Sequence, residues 1–363
     1  MVVSLLLVGA GLAALLVGGT AVVSSSVTLA HRLGISTAVI GLTVVAFGTS
    51  APEMAVSVLA SIQGSPAIAV GNVFGSNIFN ILVAIGAAAC IAPVVLDPAV
   101  LRKEVPICLA ANLVVIGFAI TGGRINTWEG FDLVIGLFIF LIWCVRNARQ
   151  DPQSSSNPES DRVPLAGILF TVGSALVLSR TAIGWDWAIT GLLIGTVLVW
   201  FLEPDPDTNR PPASTTLWIY LAAAISILIT GADLLVRGAT DIGLGLGISE
   251  PVIGLTVVAI GTSAPELATS IVAARRGELG LAVGNALGSN LFNLLGVLGL
   301  AALVRAVPVE PRFVIIDGWL AFGSVLLLPI LARRAGVIER QHGKVMVGCW
   351  VVYTLSLVVI ALT

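Results

Sequence analysis

A stretch of 53 residues occurs twice in this chain, and that repetition limits the possible folds more than any other feature. Residues 34–86 align with 247–299 at a constant offset of 213, without a gap and with 32 of the 53 positions identical. The strongest blocks are GLTVVAFGTSAPE (41–53) against GLTVVAIGTSAPE (254–266), and AVGNVFGSNIFN (69–80) against AVGNALGSNLFN (282–293). Two apolar helices share Leu, Val and Ala by chance. Matching Gly, Pro, Glu, Asn and Ser in one register marks a duplication. The fold is therefore built around two copies of one unit.

The solvent for that unit follows from composition. Of 363 residues, 57% are hydrophobic and only 10% charged, with a mean hydropathy of +1.05. Soluble domains carry about 25% charged residues, so this chain cannot cover a water-facing surface. A soluble globular enzyme, a disordered chain and a disulfide scaffold are excluded together, leaving an all-α polytopic membrane protein. A crossing helix needs about 20 mostly apolar residues. Apolar runs between charged or Pro-containing breaks give spans near 3–30, 36–62, 66–92, 100–121 and 130–146, then 163–180 and 186–202. Five more fall near 215–237, 249–274, 279–303, 313–332 and 343–362. The polar breaks RNARQDPQSSSNPESDR (146–162) and EPDPDTNRPP (203–212) read as loops. The organisation expected is a first repeat of five spans at 1–147, a linker with two additional spans at 148–214, and a second repeat of five spans at 215–363.

The apolar opening MVVSLLLVGAGLAALLVGG resembles a signal-peptide core but lacks the positive leader such a peptide needs. Its counterpart at 215–237 makes it a retained first helix. A net charge of −2 argues against nucleic acid as a partner, and nothing in the chain implies a protein partner. Cys90, Cys108, Cys144 and Cys349 show no metal-ligand spacing and read as small core residues. His31 and His342 sit at span ends and read as interfacial.

Seven crossings separate the start of one repeat from the start of the other. Seven is odd, so the second repeat enters the membrane from the opposite side. With both termini outside, 13 of the 18 Lys and Arg fall on the inner side, and only Arg124, Arg180, Arg237, Arg305 and Arg312 fall outside. The positive-inside rule favours that orientation. Inverted repeats around a shared pseudo-two-fold are the architecture of secondary transporters, which place their substrate site at the midplane where the repeats meet.

Almost every charge lies near a span end. Glu53 and Glu266 do not: each is about midway along its span, at the same place in its repeat. A buried ionisable group costs several kcal/mol and is functional by default. Two such carboxylates brought together by the pseudo-symmetry repel each other unless something positive sits between them. Pro52 and Pro265 lack an N–H and break the helix one residue earlier, freeing carbonyls of Gly48, Thr49, Gly261 and Thr262. Unwound backbone at membrane depth is tolerated where it lines a cavity. Together with the hydroxyls at 49–50 and 262–263 this makes an all-oxygen ligand set, suited to hard cations such as Ca²⁺ and Na⁺. On the following span, Gly71, Gly75, Gly284 and Gly288 have the spacing of close helix packing. Ser76, Asn77 and Asn80, with Ser289, Asn290 and Asn293, can either coordinate an ion or hold the Glu side chains. Asp233 and Asp317 read as interfacial or as supports for the site.

These blocks resemble the alpha-repeats of the calcium/cation antiporter superfamily. The GTSAPE and GSNxFN forms are most similar to its sodium/calcium exchanger branch, as in prokaryotic exchangers. The resemblance implies a five-plus-five helix plan with the helices at 3–30 and 215–237 as sliding gates. It implies Ca²⁺ and Na⁺ as transported ions, with no cofactor, in the cell (plasma or inner) membrane. Glu53 and Glu266 would be ligands shared by both ions, joined on calcium by the main-chain carbonyls of Thr49 and Thr262. Ala46, Ala259, Ser50, Ser263, Ser76 and Ser289 would assist with sodium, and Asn80 and Asn293 would flank the centre. Some relatives carry Asp at one of the last two positions; here both are Asn. The two linker spans go beyond the ten-helix plan.

The expected activity is sodium-driven calcium antiport by alternating access. Calcium/proton antiport is the nearest rival, since protons also neutralise Glu. A cation channel usually relies on rings of identical subunits rather than a fused inverted repeat. An intramembrane hydrolase with Ser50 or Ser263 as nucleophile lacks a histidine placed as base, so no enzymatic activity is expected.

Overall fold

The computed structural model describes residues 2–33, 35–62, 67–148, 214–246, 259–311, 313–333 and 336–362. The first repeat opens with α1 (Val2–Leu33), followed by a broken helix whose halves α2 (Thr37–Thr49) and α3 (Ala51–Ile62) bend by 44°. It continues with α4 (Ile68–Ile91), α5 (Pro98–Gly122) and α6 (Thr127–Ala148). The second repeat holds α7 (Ser214–Gly245), a short α8 (Ala259–Thr262) leading into α9 (Ala264–Arg275), then α10 (Leu279–Val304), α11 (Ile315–Leu331) and α12 (Arg340–Leu362). By length and composition, six described helices can cross a membrane, or seven with the broken pair counted as one span. The expected spans at 163–180 and 186–202 lie outside the described residues.

The breaks are narrower than an unwound stretch. Each consists of one residue, Ser50 (φ −82°, ψ 5°) or Ser263 (φ −92°, ψ 9°), just ahead of the Ala-Pro pair that opens the next half-helix. Ser50 N–H still donates to Ala46 O at 3.0 Å. The proline ring deflects the chain, and helix resumes at once. Further along, a wide turn of π-helix interrupts α4 at Asn80–Ile85 and α10 at Phe292–Val297. Such turns gather at functional sites.

Two short strand pairs establish the inversion. β1 (Val94–Val95), after α4, pairs antiparallel with β4 (Val337–Ile338), which precedes α12. β2 (Arg124–Ile125), after α5, pairs with β3 (Val307–Pro308), after α10. Val94 and Val307 are repeat equivalents, as are Arg124 and Val337. In repeats of equal orientation β1 and β3 would lie on one side of the membrane and β2 and β4 on the other. Here the end of the third span of each repeat meets the end of the fourth span of the other, which requires the repeats to be inverted.

Glycine lets the halves approach. A Cβ on Gly284 or Gly288 would strike the carbonyl oxygen of Ala38 or Leu42, so α10 lies directly on α2, and one on Gly41 would likewise strike Leu281 O. Gly11, Gly18, Gly231 and Gly238 similarly press α1 against α7. Gly75 departs from the packing role expected for it: a Cβ there meets nothing within 4 Å. Burial is arranged as in a lipid solvent. Leu5, Leu6, Phe138, Ile139, Val352 and Leu355 are exposed, while Ser, Asn and Glu side chains fill the centre. Cys108 and Cys144 are core residues as expected, but Cys349 is exposed on α12.

Helix α7 runs eight residues beyond the expected end at 237. Arg237, assigned to an outer span end by hydropathy, lies within the helix and pairs with Asp233 at 2.8 Å. This i,i+4 neutralisation lets helix continue through charged residues. Asp317 is buried and accepts a hydrogen bond from Tyr353 Oη at 2.7 Å.

With the four native cysteines replaced, Val95→Cys combined with Val337→Cys should form an intrachain disulfide on mild oxidation, seen as a mobility shift reversed by reductant, because these residues are register partners. Cross-linking of Val95→Cys to Val307→Cys instead would contradict the inverted arrangement. Gly284→Ala should destabilise the protein by about 1–3 kcal/mol in detergent unfolding through overpacking, whereas Gly75→Ala should be near neutral.

Candidate cation site

Both helix breaks deliver a glutamate to the protein centre. Glu53 and Glu266 fall in the first turn of α3 and α9, and both are fully buried (0% exposed). A helix N-terminus carries partial positive charge and favours an anion. The two half-helices thus present their positive ends, each with a carboxylate, at the junction of the repeats.

Hydroxyls cross that junction to hold the carboxylates. Ser263 Oγ donates to Glu53 Oε1 at 3.0 Å and also lies 3.0 Å from Ser76 Oγ. Ser50 Oγ makes the equivalent bond to Glu266 Oε1 at 3.4 Å. Within each repeat, Ser76 donates to Glu53 Oε1 (3.4 Å) and Ser289 to Glu266 Oε1 (3.3 Å). Each carboxylate is held through one oxygen by a serine from its own repeat and one from the other. Neither half can assemble the site alone.

On the same two helices as Ser76 and Ser289, four asparagines form a second two-fold set. Asn77 Nδ2 donates to Asn290 O (3.3 Å) and Asn290 Nδ2 to Asn77 O (3.2 Å). Asn80 Nδ2 donates to Asn290 Oδ1 (3.2 Å) and Asn293 Nδ2 to Asn77 Oδ1 (3.1 Å). All four side chains are fully buried.

These two layers leave Glu53 Oε2, Glu266 Oε2, Asn80 Oδ1 and Asn293 Oδ1 buried without a hydrogen-bond partner. All four are acceptors, and they form two repeat-related pairs. Unpartnered buried carboxylate and amide oxygens are costly. A bound cation removes that cost, and the buried charged residues among those described are all acidic: Glu53, Glu266 and Asp317. Among the described residues no three His, Cys, Asp or Glu side chains gather, so the donors here are two carboxylates and neutral oxygens, a hard-cation set.

Residues 3–146 and 216–359 match the family described as "Sodium/calcium exchanger protein". The chain belongs to this family. It is 32% identical to the inner membrane protein YrbG of Escherichia coli over 91% of this chain and 89% of that one. It is 28% identical to the sodium/calcium exchanger MaX1 of Methanosarcina acetivorans over 98% of each. Among solved structures, the sodium-calcium exchanger NCX_Mj matches with a TM-score of 0.73 and 28% identity, covering 98% of this chain and 99% of that one. The chain is a multi-pass membrane protein of the exchanger-type antiporter superfamily.

Within this exchanger fold the remaining site residues are placed as follows. Thr49 is fully buried, its hydroxyl 3.2 Å from Asn285 Oδ1 and 3.4 Å from Ser289 Oγ. Thr262 ends α8 and is 8% exposed. Ala46 is fully buried, and its carbonyl already accepts from Ser50 N and Thr49 Oγ1. Ala259 opens α8. The GSNxFN motif left these roles undivided; in the structure its serines bind the carboxylates, its first asparagine bonds the opposite repeat's backbone, and its second bonds that repeat's asparagine side chain.

Sequence reasoning passed over Asn72 and Asn285, although their identity across the repeat was a usable signal. They now differ. Asn72 Nδ2 donates to Glu53 O (3.2 Å) and Ser57 Oγ (2.9 Å). Asn285 Nδ2 and Ser270 Oγ, the equivalents, have no partner, while Asn285 Oδ1 accepts from Thr49. Glu104, the repeat equivalent of Asp317, was also missed. Glu104 lines a separate cavity of about 80 Å³ beside Ser36, Asp97 and Lys103.

Proposed function

We propose that this chain exchanges Ca²⁺ for Na⁺ by alternating access, with Glu53 and Glu266 as shared ligands in one midplane site. The observation that carries this reading is the set of four unpartnered, buried, repeat-related oxygens on Glu53, Glu266, Asn80 and Asn293. Two carboxylates balance one Ca²⁺, or are covered by several Na⁺. The carbonyls of Thr49 and Thr262 complete the calcium shell. Ser50, Ser263, Ser76 and Ser289, together with Ala46 and Ala259, assist with sodium. The relatives MaX1 and NCX_Mj are both named as sodium/calcium exchangers, which supports these ions.

An empty site leaves two uncompensated charges at low dielectric, and breaking a buried pair in this way costs about 3–5 kcal/mol. The loaded protein changes sides more readily than the empty one, so transport is coupled exchange rather than leak or catalysis. Residues 1–147 and 215–363 act as the two halves, joined by 148–214. The inner-membrane name of the Escherichia coli relative supports a cell-membrane location, with both termini outside by the positive-inside count.

Calcium/proton antiport is the second reading, favoured by one feature: the site's titratable groups are two carboxylates, which protons neutralise as well as Na⁺ does. Proteoliposomes separate the two. An imposed sodium gradient should drive Ca²⁺ uptake, and a pH gradient alone should not; uptake that follows the pH gradient and ignores sodium would reverse the assignment. Glu53→Gln and Glu266→Gln should each lower sodium-driven uptake at least about a hundredfold, in line with losing about 3 kcal/mol or more from the loaded site.

A further inference from the structure

We propose that Asn77 and Asn290 are positioning residues that lock the amides of Asn80 and Asn293 with their oxygens toward the cation, while clasping the two repeats together at the site. The proposal rests on the cation site described above and assigns a role to residues that make no contact with the ion.

The amide orientations follow from one another. A main-chain carbonyl accepts hydrogen bonds and cannot donate, so the atom of Asn77 facing Asn290 O must be Nδ2. Asn77 Oδ1 then points the other way, where only a donor can meet it, and the donor present is Asn293 Nδ2. With its nitrogen committed, Asn293 leaves Oδ1 unpartnered. The mirror chain runs from Asn77 O through Asn290 to Asn80, whose Oδ1 is likewise left over. Each step fixes the next, so the two backbone carbonyls ultimately dictate which atoms of Asn80 and Asn293 are free to bind a cation.

The same bonds span the repeats. All four run between α4 and α10, at the π-turns that begin at Asn80 and Phe292. Because all four side chains are fully buried, water cannot substitute for a lost partner, and an untethered Asn80 amide is free to turn its nitrogen toward the ion. The N–H edge is the positive end of the amide dipole and repels a cation, so amide orientation bears directly on affinity.

The test is equilibrium ⁴⁵Ca²⁺ binding to the purified full chain in detergent, which reads the site whichever ion drives exchange. Asn290→Ala should weaken Ca²⁺ binding about tenfold. Asn80→Ala/Asn290→Ala should bind no more weakly than Asn80→Ala alone, because the residue being oriented is already absent. Asn290→Asp keeps an acceptor for Asn80 Nδ2 but cannot donate to Asn77 O, so it should lower thermal stability without weakening Ca²⁺ binding. Asn77→Ala and Asn77→Asp should repeat the pattern through Asn293, and serve if an Asn290 variant does not fold. Additive losses in the double variant, unchanged affinity in the Ala variants, or absent Ca²⁺ binding in the unaltered protein would overturn the proposal. Normal binding with no sodium-driven flux would instead overturn only the choice of counter-ion.

Discussion

Two carboxylates in the middle of a membrane protein repel each other and have lost their water, and the rest of this structure is arranged around that cost. Glu53 and Glu266 each sit at the positive end of a half-helix, and each gives one oxygen to serines from both repeats. The other oxygen is left open. Half of each carboxylate is thus used to fix its position, and in the proposed function the other half is kept for a positive ligand. The helix breaks exist to create those half-helix ends at the centre, and the inverted pairing of the repeats brings the two ends together.

Much of this was legible in the sequence because the chain is so poor in charge. In an apolar background, an acid at midspan stands out without comparison to any relative, and a second one at the same register doubles the signal. The Pro residues forecast the breaks for a local steric reason. The inverted topology followed from counting spans, and the strand pairs β1–β4 and β2–β3 give it on independent grounds.

What was not legible depended on tertiary geometry. Asn77 and Asn80 are chemically identical, and only the crossing of α4 with α10 determines that one reaches the opposite backbone and the other keeps a free oxygen. The two-residue strands carry no sequence pattern, since they are set by where the loops meet. Helix α7 outruns its apolar segment because Asp233 and Arg237 neutralise each other one turn apart, an effect that hydropathy averages away. Gly75 and Gly288 are equivalent in sequence, yet only Gly288 touches a neighbouring backbone. The departure of Asn285 from the bonds of Asn72 is of the same kind: two repeat-equivalent asparagines in one molecule adopt different local bonding.

The central claim is that the two glutamates form one shared site and not two separate ones. Counting bound Ca²⁺ per chain at saturation, in the unaltered protein and in Glu53→Gln and Glu266→Gln, tests it most directly. A shared site predicts one Ca²⁺ per chain, competed by Na⁺ and lost in either single variant. Two Ca²⁺ per chain, falling to one in each variant, would contradict it.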